Sequence, residues 1–292
     1  MTNLKRILAT TDFSALGSGA IARAALLAAR EDGELLIVHA IPRLSVLRGV
    51  FGADDELPIR MRTIAEASLA ALVESAAQAG VRRVRGEIVE GSAHRAVADT
   101  ADSFHPDLLV IGAHGKGLVR QFFLGGTASR ILAHAACPVL VVRRAPEGDY
   151  RQALIAVDLM SMSRAETVLR VGLVTAARAR IAVINAYQSP FEAKLRYKGF
   201  PEEDIARYAE PEAQAAQRNM QTLLADPDLA GLALESRIVH GHPNPVLPDA
   251  ASALSADLIV AGRHAGSRLE EAAMGSVSKF LVYYAPCDVL VV

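Results

Sequence analysis

The sequence predicts an α/β protein of two tandem, related domains, each with a parallel sheet covered by helices. Three observations carry that prediction. The chain repeats itself at the length of a whole domain. Each half alternates short β-rich runs with longer helical patterns. Several of those runs are continuously apolar, as strands buried on both faces are. The repeat is read directly. Val89-Glu90-Gly91 recurs as Val239-His240-Gly241, and Asp107–Gly112 recurs as Asp257–Gly262. Cys137 and Val139–Val142 recur as Cys287 and Val289–Val292, all at an offset of 150. Near the start of each half, Ile7–Asp12 matches Ala153–Asp158, and His39-Ala40 matches Asn185-Ala186, at an offset of 146. The four-residue difference is an insertion, most simply in the second half after Ala186. A period this long exceeds any solenoid unit. The reading is therefore a duplicated domain, 1–146 and 147–292, with a joint near Arg144–Asp149.

In the first half the strand candidates are Arg6–Thr11, Glu34–Ile41, Arg83–Glu90, Leu108–Gly112 and Val139–Val142. Helical stripes lie between them. Ala65, Leu69, Leu72, Val73 and Ala76 share one face, and so do Ala93, Val97, Ala101 and Phe104. The second half repeats the pattern with Ala216, Met220, Leu223 and Leu224. Strands alternating with helices imply right-handed crossovers and a parallel sheet. Ser14 is placed to cap the first helix. Pro106 and Pro138 stop helices just before strands.

Composition narrows the function. The 292 residues hold 51% hydrophobic and 22% charged side chains, with a formal net charge of -1. That apolar content excludes a disordered chain. Without a basic excess there are no counterions to release on a phosphate backbone, so no nucleic-acid partner is expected. Two cysteines with no CxxC pair exclude a disulfide framework and fit a cytoplasmic setting. The opening residues read as no signal peptide, and no uncharged apolar stretch approaches the ~18 residues of a membrane span. No membrane partner is expected.

The fourth strand of the first half runs into Gly112-Ala113-His114-Gly115-Lys116-Gly117, then Leu118–Leu124, then Gly125-Gly126-Thr127 and a helical pattern. Glycines let backbone N–H groups approach an anion, and a helix start adds positive partial charge. Thr127 offers a hydroxyl; Lys116 and Arg120 add charge. A tight turn that needs positive φ at glycine explains the same spacing, and the spacing leaves both readings open. No Walker P-loop is present. Gly17–Ala22 matches GxGxxA, but it begins inside the helix that Ser14 caps and lacks the acid some twenty residues on, so a dinucleotide site is set aside. His240-Gly241-His242 is weighed as a metal site against a pair of loop histidines, the latter preferred. Cys137 and Cys287 read as small buried hydrophobes. No Ser-His-Asp or metal-hydrolase motif appears.

Gly112-x2-Gly115-x9-Gly125 after a strand, Thr11-Asp12-Phe13-Ser14 at the end of strand one, and the terminal Pro138–Val142 resemble the universal stress protein family. The resemblance covers both halves. It implies two doubly wound domains, each a five-stranded parallel sheet of order 3-2-1-4-5 flanked by helices. It also implies ATP binding by members that keep the glycine motif, with little turnover. The ligand crevice of such a sheet lies where strand order reverses, outside strands one and four. By the resemblance, Thr11 and Asp12 face the adenosine, Ala40 lies by the adenine through its backbone, and Gly112, Gly115, Gly125, Gly126 and Thr127 cradle the phosphates. The family motif ends in Gly-Ser or Gly-Thr, whereas here Gly126 intervenes before Thr127. In the second half Ala265 replaces the second glycine, and Glu270 and Glu271 join Arg268 in the loop, so that motif is degenerate; Asp158 and Ser276 are retained.

The expectation is an ATP-binding stress-response protein with a regulatory or effector role, taking ATP with or without magnesium and holding no metal of its own. A slow ATPase or phosphotransferase is the first alternative, disfavoured because no general base, arginine finger or carboxylate pair can be named. A nucleotide-free interaction module is the second. The equivalent apolar strands Val139–Val142 and Val289–Val292 are edges that need cover. An intramolecular pseudo-dimer is therefore expected, with a homodimer left open.

Overall fold

The structure is a computed structural model and describes residues 4–43, 56–113, 124–263 and 274–292. The chain forms two compact units. The first contains β1 (Arg6–Thr10), α1 (Ala15–Arg30), β2 (Glu34–Ile41), α2 (Glu56–Gln78), β3 (Arg83–Glu90), α3 (Ala93–Phe104), β4 (Leu108–Gly112), α4 (Gly126–His134) and β5 (Val139–Val142). The second contains β6 (Gln152–Ala156), α5 (Met162–Thr175), β7 (Arg180–Tyr187), α6 (Glu192–Tyr197), α7 (Glu202–Leu224), β8 (Leu234–His240), α8 (Pro243–Ala253), β9 (Leu258–Ala261) and α9 (Ser276–Tyr284). The last strand, β10 (Asp288–Val291), belongs to the first unit.

In the first unit β1 pairs in parallel with β2 and β4, β2 with β3, and β4 with β5, which is the order 3-2-1-4-5. In the second unit β6 lies between β7 and β9, with β8 beyond β7, all parallel. The central strands are apolar throughout because helices cover both faces: Ile7, Leu8, Ala9, Leu108 and Val110 are wholly buried, as are Ala153, Leu154, Ile155 and Leu258. Strand β1 ends at Thr10, one residue sooner than the apolar run suggests, although Thr11 N–H still donates to Val38 O at 3.0 Å.

The repeated landmarks prove to be structural. Asp107 accepts the N–H groups of Lys5 and Arg6, both at 2.9 Å, and pins the start of β4 to the start of β1. Asp257 does the same for Arg151 at 2.8 Å and Gln152 at 3.1 Å. Gly91 and Gly241 sit at φ +134° and +139°, where a side chain would be strained. Their N–H groups donate to Ile41 O and Tyr187 O respectively. Those partners keep the two offsets, so the insertion falls between the ends of β7 and β8.

Strand β10 runs antiparallel to β5, with Leu290 opposite Leu140, its own repeat equivalent. The apolar edge of β5 is thereby covered. A buried ion pair secures the arrangement. Arg23, in the middle of α1, lies 3.7 Å from Asp288, with side-chain exposures of 7% and 5%. Arg23 also donates to Gly148 O at 2.7 Å, and Asp288 accepts Arg143 N–H at 2.8 Å.

Candidate functional site

The turn after β1 is tight because its side chains close it. Asp12 Oδ1 accepts Ser14 N–H at 3.0 Å and the Ser14 hydroxyl; Ser14 Oγ accepts Gly17 N–H at 3.1 Å and caps α1. Thr11 Oγ1 accepts Phe13 N–H at 3.0 Å. Phe13 itself sits at φ 59°, an unfavourable region for a bulky residue, and its ring stacks on His39 with centroids 4.1 Å apart. His39 Nδ1–H donates to Thr11 O at 2.8 Å. This bond ties the end of β2 to the end of β1.

The glycines divide by purpose. A Cβ on Gly17 would lie 2.7 Å from Asp12 Oδ1, and one on Gly112 would lie 3.2 Å from the Leu16 backbone. Both let the first turn of α1 press against the ends of β1 and β4. A Cβ on Gly126 would meet nothing within 4 Å among the described residues, and Gly126 does not have positive φ. Neither packing nor backbone conformation requires that glycine. Gly125 N–H donates to Ala113 O at 2.9 Å, and no side chain caps α4. The helix therefore presents its first N–H groups and its positive dipole end without a capping side chain.

These pieces enclose a crevice of about 430 Å³ at the carboxyl ends of β1 and β4. Thr11, Asp12, Ala40, Gly112, Gly125, Gly126 and Thr127 all line it. Gly115, with Lys116 and Arg120, lies outside the described residues, as do Ala265, Arg268, Glu270 and Glu271. The lining also includes Thr10, Gly17, Val38, Val97 and Ile131, which sequence reasoning did not single out for the site. Val97 stood in the α3 stripe, and α3 begins beside the strand ends; that combination was the available signal. Among the described lining residues Asp12 carries the one formal charge. The room beside Gly126, the uncapped α4 terminus and the threonine hydroxyls suit a phosphate-bearing ligand.

The equivalent place in the second unit is a cavity of about 160 Å³ lined by Asp158, Arg164, Asn185, Pro243, Leu247 and Val277 among others. Asp158 Oδ1 accepts Met160 N–H at 3.0 Å. Asn185 Nδ2 donates to Val157 O at 2.9 Å, the bond His39 makes in the first half. The two histidines of the HxH sequence go to different partners. His240 Nε2 pairs with Glu192 Oε2 at 2.7 Å, and Glu192, 1% exposed, also accepts Ser189 N–H. His242 Nδ1 accepts Asn244 N–H at 3.2 Å and caps α8. Burial, then the charges of Glu192, Glu210 and Glu212, push the neighbouring Tyr187 phenol above its ordinary range. Cys287 is buried and Cys137 half-buried. No helix among the described residues is long and apolar enough to cross a membrane.

A universal stress protein of Thermus aquaticus is 32% identical over 139 residues, 48% of this chain and 98% of that protein. Universal stress protein A homolog 1 of Coxiella burnetii is 34% identical over 142 residues, 47% of this chain and 95% of its own. Two solved structures match nearly the whole chain. A putative universal stress protein of Pseudomonas aeruginosa has a TM-score of 0.68 at 20% identity, covering 99% of this chain and 93% of its own. A universal stress protein of Archaeoglobus fulgidus has 0.68 at 18%, covering 99% and 96%. At these identities the structures speak to the fold. The model of the universal stress protein family matches twice, at residues 3–143 and 149–292, and with both halves accounted for the chain belongs to that family.

Proposed function

We propose that this protein is an adenine-nucleotide-binding member of the stress response, with one ATP site in its first half and a regulatory or effector role. The observation that carries the reading is Gly126: a glycine with open space beside it among the described residues, at an uncapped helix start, in a crevice of about 430 Å³. Small-molecule sites span roughly 300–1,000 Å³. In this reading the α4 N–H groups and Thr127 hold the phosphates, while Thr11, Asp12 and the Ala40 backbone face the adenosine. Any magnesium arrives on the phosphates, since Asp12 is the one carboxylate among the described lining residues. The same fact weighs against an efficient ATPase, which needs groups to orient water and neutralise developing charge.

Calorimetric titration of the full chain with ATP is the test, with a steady-state phosphate-release assay beside it. The expected result is saturable binding near one ATP per chain with negligible turnover. No binding, together with no nucleotide released on denaturing freshly purified protein, would leave an interaction module whose glycine loops are only turns.

A further inference from the structure

A second cavity of the first unit, about 590 Å³, lies along the groove between α3 and α4. Its floor is apolar, formed by Val97, Ala101, Leu109 and Ile131. Its rim is basic: His94, Arg95 and His105 come from α3 and its end, and Arg130 and His134 from α4, against a single acid, Asp102. Among the described residues neither the Arg95 nor the Arg130 guanidinium makes an ion pair, and both border the groove.

The internal repeat serves as a control for what the fold needs. At the matching positions the second half carries Asn244, Pro245, Ser255, Phe280 and Tyr284. There α8 and α9 still pack on each other, and Phe280 stacks on Tyr284 at 4.6 Å. Helix packing at this place therefore does not require imidazoles or guanidinia. Five cation-capable side chains in one half and none in the other mark a chemical difference beyond the common scaffold. Guanidinium groups recognise carboxylates and related anions through paired N–H donors. An apolar floor takes the body of a ligand, and a few polar groups fix its orientation.

We propose that this α3–α4 groove is a binding site for a small amphipathic anion, an aromatic or aliphatic body bearing one carboxylate-like headgroup, separate from the nucleotide crevice. Val97 and Ile131 line both cavities, so the two sites share a wall. The anilinonaphthalene sulfonate anion (ANS) is a probe of that class, and N-phenylnaphthylamine is its uncharged counterpart.

Fluorescence titration of the full chain with each probe is the experiment. ANS is expected to saturate near one per chain. Arg95→Ala/Arg130→Ala is expected to weaken it about tenfold or more, as loss of charge-assisted contacts does, and to leave the uncharged probe unchanged. Arg130→Phe/His134→Tyr, which installs the second-half residues, should weaken ANS likewise. Ala101→Phe, filling the groove, should remove both probes, whereas Gly126→Val, filling the crevice, should remove neither. Melting temperatures within a few degrees of the parent certify the fold. The proposal is overturned if both arginine-altering variants bind ANS as the parent does, if they lose both probes equally, or if Gly126→Val abolishes ANS binding.

Discussion

At the carboxyl end of β1 the first half carries Thr10, Thr11 and Asp12; at the carboxyl end of β6 the second carries Ala156, Val157 and Asp158. The turns that follow share two hydrogen bonds. Each aspartate accepts the N–H two residues on, and each second strand is tied to the first by one side chain, His39 or Asn185. The crevices nonetheless differ, about 430 against 160 Å³. Ala93 becomes Pro243 and Val97 becomes Leu247, which fill space, while Thr10, Thr11 and Thr127 become Ala156, Val157 and Val277, which remove hydroxyls. The duplication preserved these two hydrogen bonds but not the serine cap, which Ser161 does not make, nor the Thr11–Phe13 bond, for which Val157 has no hydroxyl. It did not preserve the surface the turn presents.

The largest expected effect separates the two halves. Gly126→Glu places a carboxylate in the open space beside the proposed phosphates. At about 4 Å and an effective dielectric near 20, like charges repel by roughly 4 kcal/mol. ATP affinity measured by calorimetry should fall more than about a hundredfold. The repeat-equivalent change, Ser276→Glu, should leave it within about twofold. Equal losses from both would make the two halves functional equals and end the comparison.

A second asymmetry concerns stability. Arg23 and Asp288 form a buried pair in the first unit, but their repeat equivalents are Leu169 and Pro138. Removing one partner of such a pair typically costs about 3–5 kcal/mol, while replacing both by apolar residues is close to neutral. Asp288→Ala should therefore shift urea unfolding strongly, and Arg23→Leu/Asp288→Leu should restore most of the loss. Residues 1–146 alone lack both β10 and Asp288. Light scattering should find them dimeric or aggregated; a stable, soluble monomer would show that the β5 edge needs no cover.

Much of this was legible in the sequence, because it rests on periodicity and punctuation. Continuous apolar runs announced β1, β4 and β5, and the Ser14 cap and the position of the Gly17 motif inside α1 followed from local hydrogen-bond logic. Thr11, Asp12, Ala40, Gly112, Gly125, Gly126 and Thr127 were legible as crevice-lining residues through motif and strand order together, whereas Thr10, Gly17, Val38, Val97 and Ile131 were not. What stayed hidden depends on contacts distant in sequence. Spacing left Gly112, Gly125 and Gly126 equivalent, yet the first is a packing glycine and the last has open space beside it. Asp12 reads as a ligand residue, but it also holds the Ser14 that caps α1, so Asp12→Ala is expected to weaken the fold and cannot by itself report on binding. Arg23 looks like one more surface cation of a helix until β10 brings Asp288 to it. Glu192, the partner of His240, lies 48 residues from it in sequence, on a different element.

Within the first crevice, a smaller effect tests the hydroxyls the second half has lost. Thr127→Val installs the second-half residue with little change of volume. A hydrogen bond to a phosphate lost in this way is worth about 0.5–1.5 kcal/mol net. ATP affinity should weaken roughly three- to tenfold while adenosine affinity holds, since Thr127 stands on the helix proposed to face the phosphates. A matching loss for adenosine would place Thr127 beside the nucleoside instead.

The smallest effect runs the other way and carries a second-half feature into the first. Ser276 is the first residue of α9, where Gly126 is the first of α4. Gly126→Ser adds a side chain into space with no atom of the described residues within 4 Å and at a backbone conformation that serine adopts without strain. Serine is also a better helix residue than glycine by a few tenths of a kcal/mol, so melting should rise slightly, by about a degree or two. If the space beside position 126 holds phosphate, the new hydroxyl gains one hydrogen bond, and ATP should bind about two- to tenfold tighter. Adenosine should bind as before, because it has nothing to offer that hydroxyl. A raised melting temperature with unchanged ATP affinity would show that the phosphates run elsewhere along the crevice. Weaker ATP binding would show that they already fill the space Gly126 leaves open.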